Sequence, residues 1–219
     1  VPQVAGGGAD AIGRAIAKGI SDQIGQPLVV ENRPGANGGV GVESLMRAPA
    51  DGYSIMMTVN NHLTNILLIP NLGFDVIKDF THVSILGDVP NIMIVNPKVM
   101  PSVNSSADMM KLAREKPGQI SYWSSGNGSA PHMSMELLKT MTGVEITHIP
   151  YKGMGAAYSD LLGGHVQCAF PTIISSIAHI NSGKLRALAV TTGRRVVALP
   201  GVPTFSETGL KGMVVVNWY

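Results

Sequence analysis

Charge is the first thing this sequence lacks. Of 219 residues only 14% are Asp, Glu, Lys or Arg, against about 25% in an ordinary soluble domain. With a positive mean hydropathy, that excludes a chain kept unfolded by its own charge. Sixteen basic and 14 acidic residues leave a net charge of +2, too small an excess for a nucleic-acid footprint. No apolar run reaches the ~20 residues that a membrane helix needs. The single cysteine, Cys168, has no internal partner and lies in a strand-like run, so it reads as a small buried side chain. Six histidines show no metal-ligand spacing, and no H-E-x-x-H occurs. The chain begins with Val1 and shows no leader. Its first two and last six residues read as strands cut short.

Glycine and proline, 26 and 14 residues, punctuate alternating elements. Helix patterns cover residues 9–24, 38–48, 105–115, 130–141, 153–162 and 172–181. Strand patterns cover 28–31, 53–59, 83–86, 91–96, 120–123, 145–149, 166–170, 185–191 and 214–219. Ile12, Ile16, Ile20 and Ile24 mark the expected apolar face of the first helix. Scattered methionines, Met133 and Met141 among them, read as core. Strict alternation predicts an α/β chain with parallel sheets covered by helices. The pattern falters between Asn60 and Asn91 and restarts after Pro97. That predicts a first lobe of residues 1–96, completed by 214–219, and a second lobe of 97–213. Ligands of such sheets bind at the carboxyl ends of strands, and two lobes make a cleft.

Three strand-to-helix loops carry the chemistry. Ala5, Gly6, Gly7, Gly8, Ala9 and Asp10 present backbone N–H groups at a helix start, with no Cβ in the way. Gly6 and Gly8 also resemble part of a dinucleotide fingerprint, with Glu31 ending the next strand. Asp10 argues against it by placing negative charge where a pyrophosphate would sit. Ser125, Gly126, Asn127, Gly128 and Ser129 bring hydroxyls and an amide to a second helix start, with His132 in its first turn. Ser129 lacks the G-x-S-x-G elbow of a hydrolase. The third loop has Tyr151, Lys152, Gly153, Met154 and Ala156, a cation and N–H groups suited to an anion. Arg33 reads as a structural partner of Glu31.

Taken in order, these stretches resemble the substrate-binding receptors of the tripartite tricarboxylate transporter family, the TctC or Bug-type periplasmic proteins. The resemblance rests on Val1-Pro2 with Gly6-Gly7 and Asp10, residues 31–36 (ENRPGA), Asp51-Gly52-Tyr53, Asp79-Phe80 and Val95-Asn96-Pro97. It continues through Lys116-Pro117-Gly118, Gly126 to Gly128 with His132, residues 148–153 (HIPYKG), 160–164, 183–189 and 199–204. It implies a type II periplasmic-binding-protein fold, with two α/β lobes, a ligand cleft and a two-strand hinge. It implies a non-enzymatic, cofactor-free, periplasmic solute receptor, a monomer that binds a small carboxylate and delivers it to membrane permease subunits. Thr58, Asn60, Asn61 and His62 join the expected contacts, as do Pro171 and Thr172. The family continues beyond the position of Tyr219 with a segment returning to the first lobe. Here Gln3-Val4-Ala5 and Pro171-Thr172 depart from the family's usual residues. Two alternatives remain at this point: the effector-sensing domain of a transcriptional regulator, and a dinucleotide-binding enzyme domain.

Overall fold

The glycine run at residues 6–8 ends in helix α1 (Gly8–Ile24), which stops at Gly25 in the left-handed conformation. A computed structural model describes residues 1–152 and 154–219. Its described residues fall into two compact units, Val1–Gly87 with Trp218–Tyr219, and Asp88–Asn217. The division lies at Gly87/Asp88 rather than at the expected Asn96/Pro97. The apolar run that follows Asn91 is an interior strand of the second unit's sheet.

In the first unit α1 is followed by a short 3-10 turn (Ala36–Gly38), α2 (Gly39–Met46) and α3 (Asn61–Leu68). The buried face of α1 is Ala9, Asp10, Gly13 and Ala17, not the isoleucine row; Ile24 is 58% exposed. A four-residue repeat gains about 40° per step on a 3.6-residue helix, so the isoleucines spiral off the face. Small residues take it because the contact is close: a Cβ on Gly13 would lie 3.2 Å from Val1 and 3.5 Å from Met57. The expected strands at 28–31, 53–59 and 83–86 form no ladder among the described residues. Alternation specifies which face a strand buries but does not supply the strand to pair with. Single backbone bonds remain, from Arg33 to Val1 and from Leu86 to Tyr219.

The second unit holds β1 (Asp88–Pro90), β2 (Ile92–Val95), α4 (Ser106–Glu115), β3 (Ser121–Ser124), α5 (Ala130–Thr142), β4 (Thr147–Pro150), α6 (Met154–Gly163), β5 (Cys168–Ala169), α7 (Ile173–Asn181) and β6 (Arg186–Val190). The last strand, β7 (Val216–Trp218), pairs with β1 in a two-stranded sheet. The main sheet has the order β4-β3-β5-β2-β6. Strands β3, β4 and β5 are parallel, as expected. Strand β2 runs antiparallel to both neighbours, which corrects the all-parallel expectation. Its four residues are fully buried, and a continuous apolar run reads the same in either direction. Met93, Val95, Tyr122 and Phe170 meet Met109, Met110, Met135 and Leu138 in the core of this unit. Met133 and Met141 lie outside that core, at 39% and 37% exposure, because α5 buries Ser134, Met135 and Leu138 instead.

Candidate ligand-binding site

In the second unit, residues 125–129, 151–152 and 171–172 leave the carboxyl ends of β3, β4 and β5. These strands are parallel and adjacent, so three of the loops singled out by sequence emerge along one edge of one sheet. That is where open α/β sheets bind ligands. The Tyr151 N–H donates to the Ser124 carbonyl at 2.9 Å, tying the first two loops together.

Within loop 125–129 most polar groups hold the loop itself. The Ser129 hydroxyl donates to the Gly126 carbonyl at 2.6 Å. Ser124 Oγ lies 2.6 Å from His148 Nε2 and accepts the Gly126 N–H at 3.1 Å. The Gly128 N–H donates to His132 Nδ1 at 3.1 Å. Ser125 and Asn127 are exposed. Helix α5 starts at Ala130 with Pro131 in its first turn, where no N–H is required. The His132 and His148 rings are 4.4 Å apart. Burial holds both imidazoles below their ordinary pKa, and His148, with His132 beside it, is lowered to about 4.

Tyr151 donates its hydroxyl to Asp160 on α6, and burial with that carboxylate beside it raises the phenol to about 12. Lys152 is exposed. Gly153 lies outside the described residues. Met154 is half-buried and Ala156 exposed, both at the start of α6. Pro171 is buried, and the Thr172 carbonyl accepts the Ser175 and Ser176 hydroxyls at the start of α7. Cys168 is fully buried, and desolvation pushes its thiol well up, as a structural cysteine requires.

In the first unit Asp10 turns back on its own loop. Its carboxylate accepts the Gly6 N–H at 2.9 Å and pairs with Arg14 at 3.0 Å. The Arg14 hydrogen bond, with the Gly6 N–H, draws the acid down to about 2. The N–H groups of Gly8, Ala9 and Asp10 belong to the first turn of α1, which has no intrahelical acceptor to offer them. Arg33 pairs with Glu31 at 2.7 Å. His62, 5% exposed, packs against Phe74 and Phe80. The Thr58 and Asn61 side chains are half-buried, and the Trp218 N–H donates to Asn60 Oδ1 at 3.0 Å.

Sequence reasoning did not single out Tyr219 or Asn37. A Cβ on Gly8 would lie 3.1 Å from the Tyr219 hydroxyl. The signal for Tyr219 was its aromatic ring at the end of a strand pattern. Asn37, at φ 53°, receives the Asn61 and Asn65 amides on its carbonyl at 2.9 and 3.0 Å. The signal there was an Asn between glycines. Among the described residues, no group of three or more His, Cys, Asp or Glu side chains is arranged for a metal ion, and no helix is long and apolar enough to cross a membrane.

Residues 12–219 match the family described as the tripartite tricarboxylate transporter family receptor, TctC. The chain is 35% identical to protein BugT of Bordetella pertussis over 221 residues, covering all of this chain and 67% of BugT. It spans about two thirds or less of the curated relatives it matches; for the Agrobacterium vitis relative the share is 63%. Among solved structures, Rpa4515 of R. palustris with adipate aligns with TM-score 0.93 and 39% identity, over 100% of this chain and 73% of that one. MatC of Rhodopseudomonas palustris with bound malate aligns with TM-score 0.89 and 27% identity, over 100% and 74%. The α/β architecture is that of the periplasmic binding proteins, and this chain belongs to the TctC receptor family of the tripartite tricarboxylate transporters.

Proposed function

We propose that this chain is the ligand-binding part of a periplasmic receptor for a small carboxylate, which it hands unchanged to the permease subunits of a tripartite transporter. One observation carries the reading: three loops leave one edge of three adjacent parallel strands, two of them running straight into helices at Ala130 and Ile173. A helix start offers several N–H donors and about half a positive charge, enough to desolvate a carboxylate without a buried arginine. Adipate and malate in the related structures support an acid of that size. In the first unit, the first-turn N–H groups of α1 and the 58–62 segment are the contacts assigned to the same class of ligand. The receptor acts as a monomer, without a cofactor.

Ser129 and Cys168 are both committed to internal contacts or burial, which supports a receptor over a hydrolase. The Asp10 carboxylate beside Gly6 disfavours a dinucleotide phosphate at that loop. The test is calorimetry and thermal shift with adipate, malate, other mono-, di- and tricarboxylates, and NAD. A dicarboxylate at a hundred times its dissociation constant stabilises the chain by about 2.7 kcal/mol and is recovered chemically intact. NAD binding without carboxylate binding, or turnover of the acid, defeats the reading.

A further inference from the structure

Two histidines fasten loop 124–129, beside the Tyr151 N–H on the Ser124 carbonyl and the Ser129 hydroxyl on the Gly126 carbonyl. His148 Nε2 lies 2.6 Å from Ser124 Oγ. The arrangement that satisfies every group has its Nε2–H donating to that oxygen. The Ser124 hydroxyl then donates to the Gly126 carbonyl and accepts the Gly126 N–H, both at 3.1 Å. The second fastener differs in kind. His132 Nδ1 receives the Gly128 N–H at 3.1 Å. An imidazole nitrogen accepts only through an unprotonated lone pair, so His132 must be neutral, with its proton on Nε2. His132 stands in the first turn of α5 and takes an N–H from just before the helix, the service that Glu or Gln performs in a capping box.

Protonating His132 removes that acceptor and sets an N–H against the N–H of Gly128. It also places a cation at the positive end of α5. The charged and titratable groups around it come from three elements. On α5, Glu136 lies one turn away and pairs with Lys139 at 2.8 Å. On β4, the His148 ring lies 4.4 Å away. On β3, Tyr122 stacks on His148 at 4.8 Å and donates its hydroxyl to Glu136 at 2.8 Å. Burial works against ionised Glu136, but Lys139 and the Tyr122 hydroxyl prevail and hold the acid below its ordinary value. Burial and Glu136 hold the Tyr122 phenol protonated. The two imidazoles are therefore the groups of this cluster that gain charge on acidification, His148 only toward pH 4.

We propose that His132 is the positioning residue of the 125–129 ligand loop, that it serves only as a neutral imidazole, and that mild acid therefore loosens the loop and weakens carboxylate binding. The inference rests on the receptor reading for the ligand and on the described geometry for the loop, so two measurements separate them. The first is made on the ligand-free chain. NMR reads the scalar coupling across the Gly128 N–H···Nδ1 bond and the Gly128 amide shift while His132 is titrated from pH 7.5 to 4.5. The coupling is present at pH 7.5 and vanishes with the protonation of His132. Its absence at pH 7.5, or its survival in acid, overturns the proposal whatever the ligand is.

The second measurement is calorimetry with adipate as the probe, in buffers of different ionisation enthalpy. Below pH 6.5 adipate binding releases more protons than the acid itself gives up, because the bound loop selects neutral His132. The dissociation constant, expressed for the adipate dianion so that the acid's own protonation drops out, rises about tenfold between pH 7.5 and 4.5. In His132→Asn, whose Oδ1 accepts an N–H without titrating, that ratio falls close to one. His132→Gln serves in its place if circular dichroism shows the first variant unfolded. Proton uptake on binding or tighter binding in acid means that imidazolium contacts the carboxylate directly, and an unchanged ratio in the variant means that another group carries the pH dependence; each overturns the proposal. Absence of adipate binding at pH 7.5, with Gly128 still following His132, defeats the receptor reading for that acid and the ligand half of the proposal with it.

Discussion

The Asp10 carboxylate accepts the Gly6 N–H at 2.9 Å, across the start of the helix that Asp10 itself belongs to. This bond uses the acid inside the loop, with Arg14 as its counter-charge, so the negative charge does not confront a ligand at Gly7 and Gly8. The Asp10 pKa is held near 2 by Arg14 and the Gly6 N–H, against an ordinary 3.8. The lowered folded value means that the contribution is complete above the ordinary value and is lost as pH falls from about 4 through 2. Asp10→Ala frees the Gly6 amide. Hydrogen exchange at Gly6 then speeds up by roughly tenfold at neutral pH. Asp10→Asn, which keeps an acceptor oxygen, shows a smaller increase. Equal exchange in wild type and Asp10→Ala contradicts the assignment.

Two glycines within helices predict opposite outcomes. Gly19 is exposed in the middle of α1, and a Cβ there meets nothing within 4 Å. Gly19→Ala removes the entropy penalty of a helical glycine and stabilises by about 0.5–1 kcal/mol. Gly41 in α2 is closely approached: a Cβ would lie 2.6 Å from the Pro2 side chain, 2.9 Å from Pro2 Cα and 3.2 Å from the Arg33 carbonyl. Backbone must move to admit it, so Gly41→Ala destabilises by about 1–3 kcal/mol. Urea denaturation of both variants reads the signs directly.

Acid also tests His148 through stability alone. Its pKa is lowered from 6.5 to about 4, by burial first and by His132 beside it. A histidine kept neutral by folding binds its proton more readily once unfolded. Stability from this group is therefore full above pH 6.5 and falls as pH drops from 6.5 to about 4. The ring is half-buried, so solvent screening takes most of the nominal effect. A melting-temperature decline of about 4 °C over that window remains as the expected size. His148→Gln, which still reaches Ser124, flattens the decline; an unchanged slope rules His148 out as its source.

Much of the second unit was legible from sequence because its elements obey one rule each. Ser105 caps α4 by accepting the Asp108 N–H, and Gly143 ends α5 in the left-handed conformation; both are local signals. Loops 125–129 and 171–172 follow their strands for the same reason. The reversed direction of β2 was not legible, since nothing in Ile92 to Val95 distinguishes one end of a fully buried strand from the other. Helix α3 inverts the usual pattern. Leu63, Ile66 and Leu67 have helical spacing but are exposed at 41%, 53% and 85%, while His62 and Asn65 are buried. Apolar periodicity therefore points away from the buried side, and only the distant Asn37 makes it favourable to bury Asn65.

That Asn37–Asn65 contact yields the last prediction. Asn37 lies at φ 53°, between Ala36 at 45° and Gly38 at 94°, a left-handed run that side chains other than Gly and Asn resist. Its amide donates to Asn65 Oδ1, and its carbonyl accepts both Asn61 and Asn65. The cluster fixes the start of α3, which carries the proposed 58–62 contacts. Asn37→Gly relieves the backbone but removes two side-chain bonds, to Asn65 and from Asn61, at a cost of about 1 kcal/mol since Asn61 keeps the Asn37 carbonyl. Asn37→Ala loses the same bonds and keeps the strained φ, adding about 1–2 kcal/mol. Asn65→Ala removes two hydrogen bonds and leaves the Asn37 amide without its acceptor, while Asn61 still serves the carbonyl, at a site only 1% exposed; it costs about 2–3 kcal/mol. Chemical denaturation is expected to rank Asn37→Gly as the mildest of the three. If Asn37→Ala proves as stable as Asn37→Gly, the left-handed backbone at Asn37 is not a constraint on this loop.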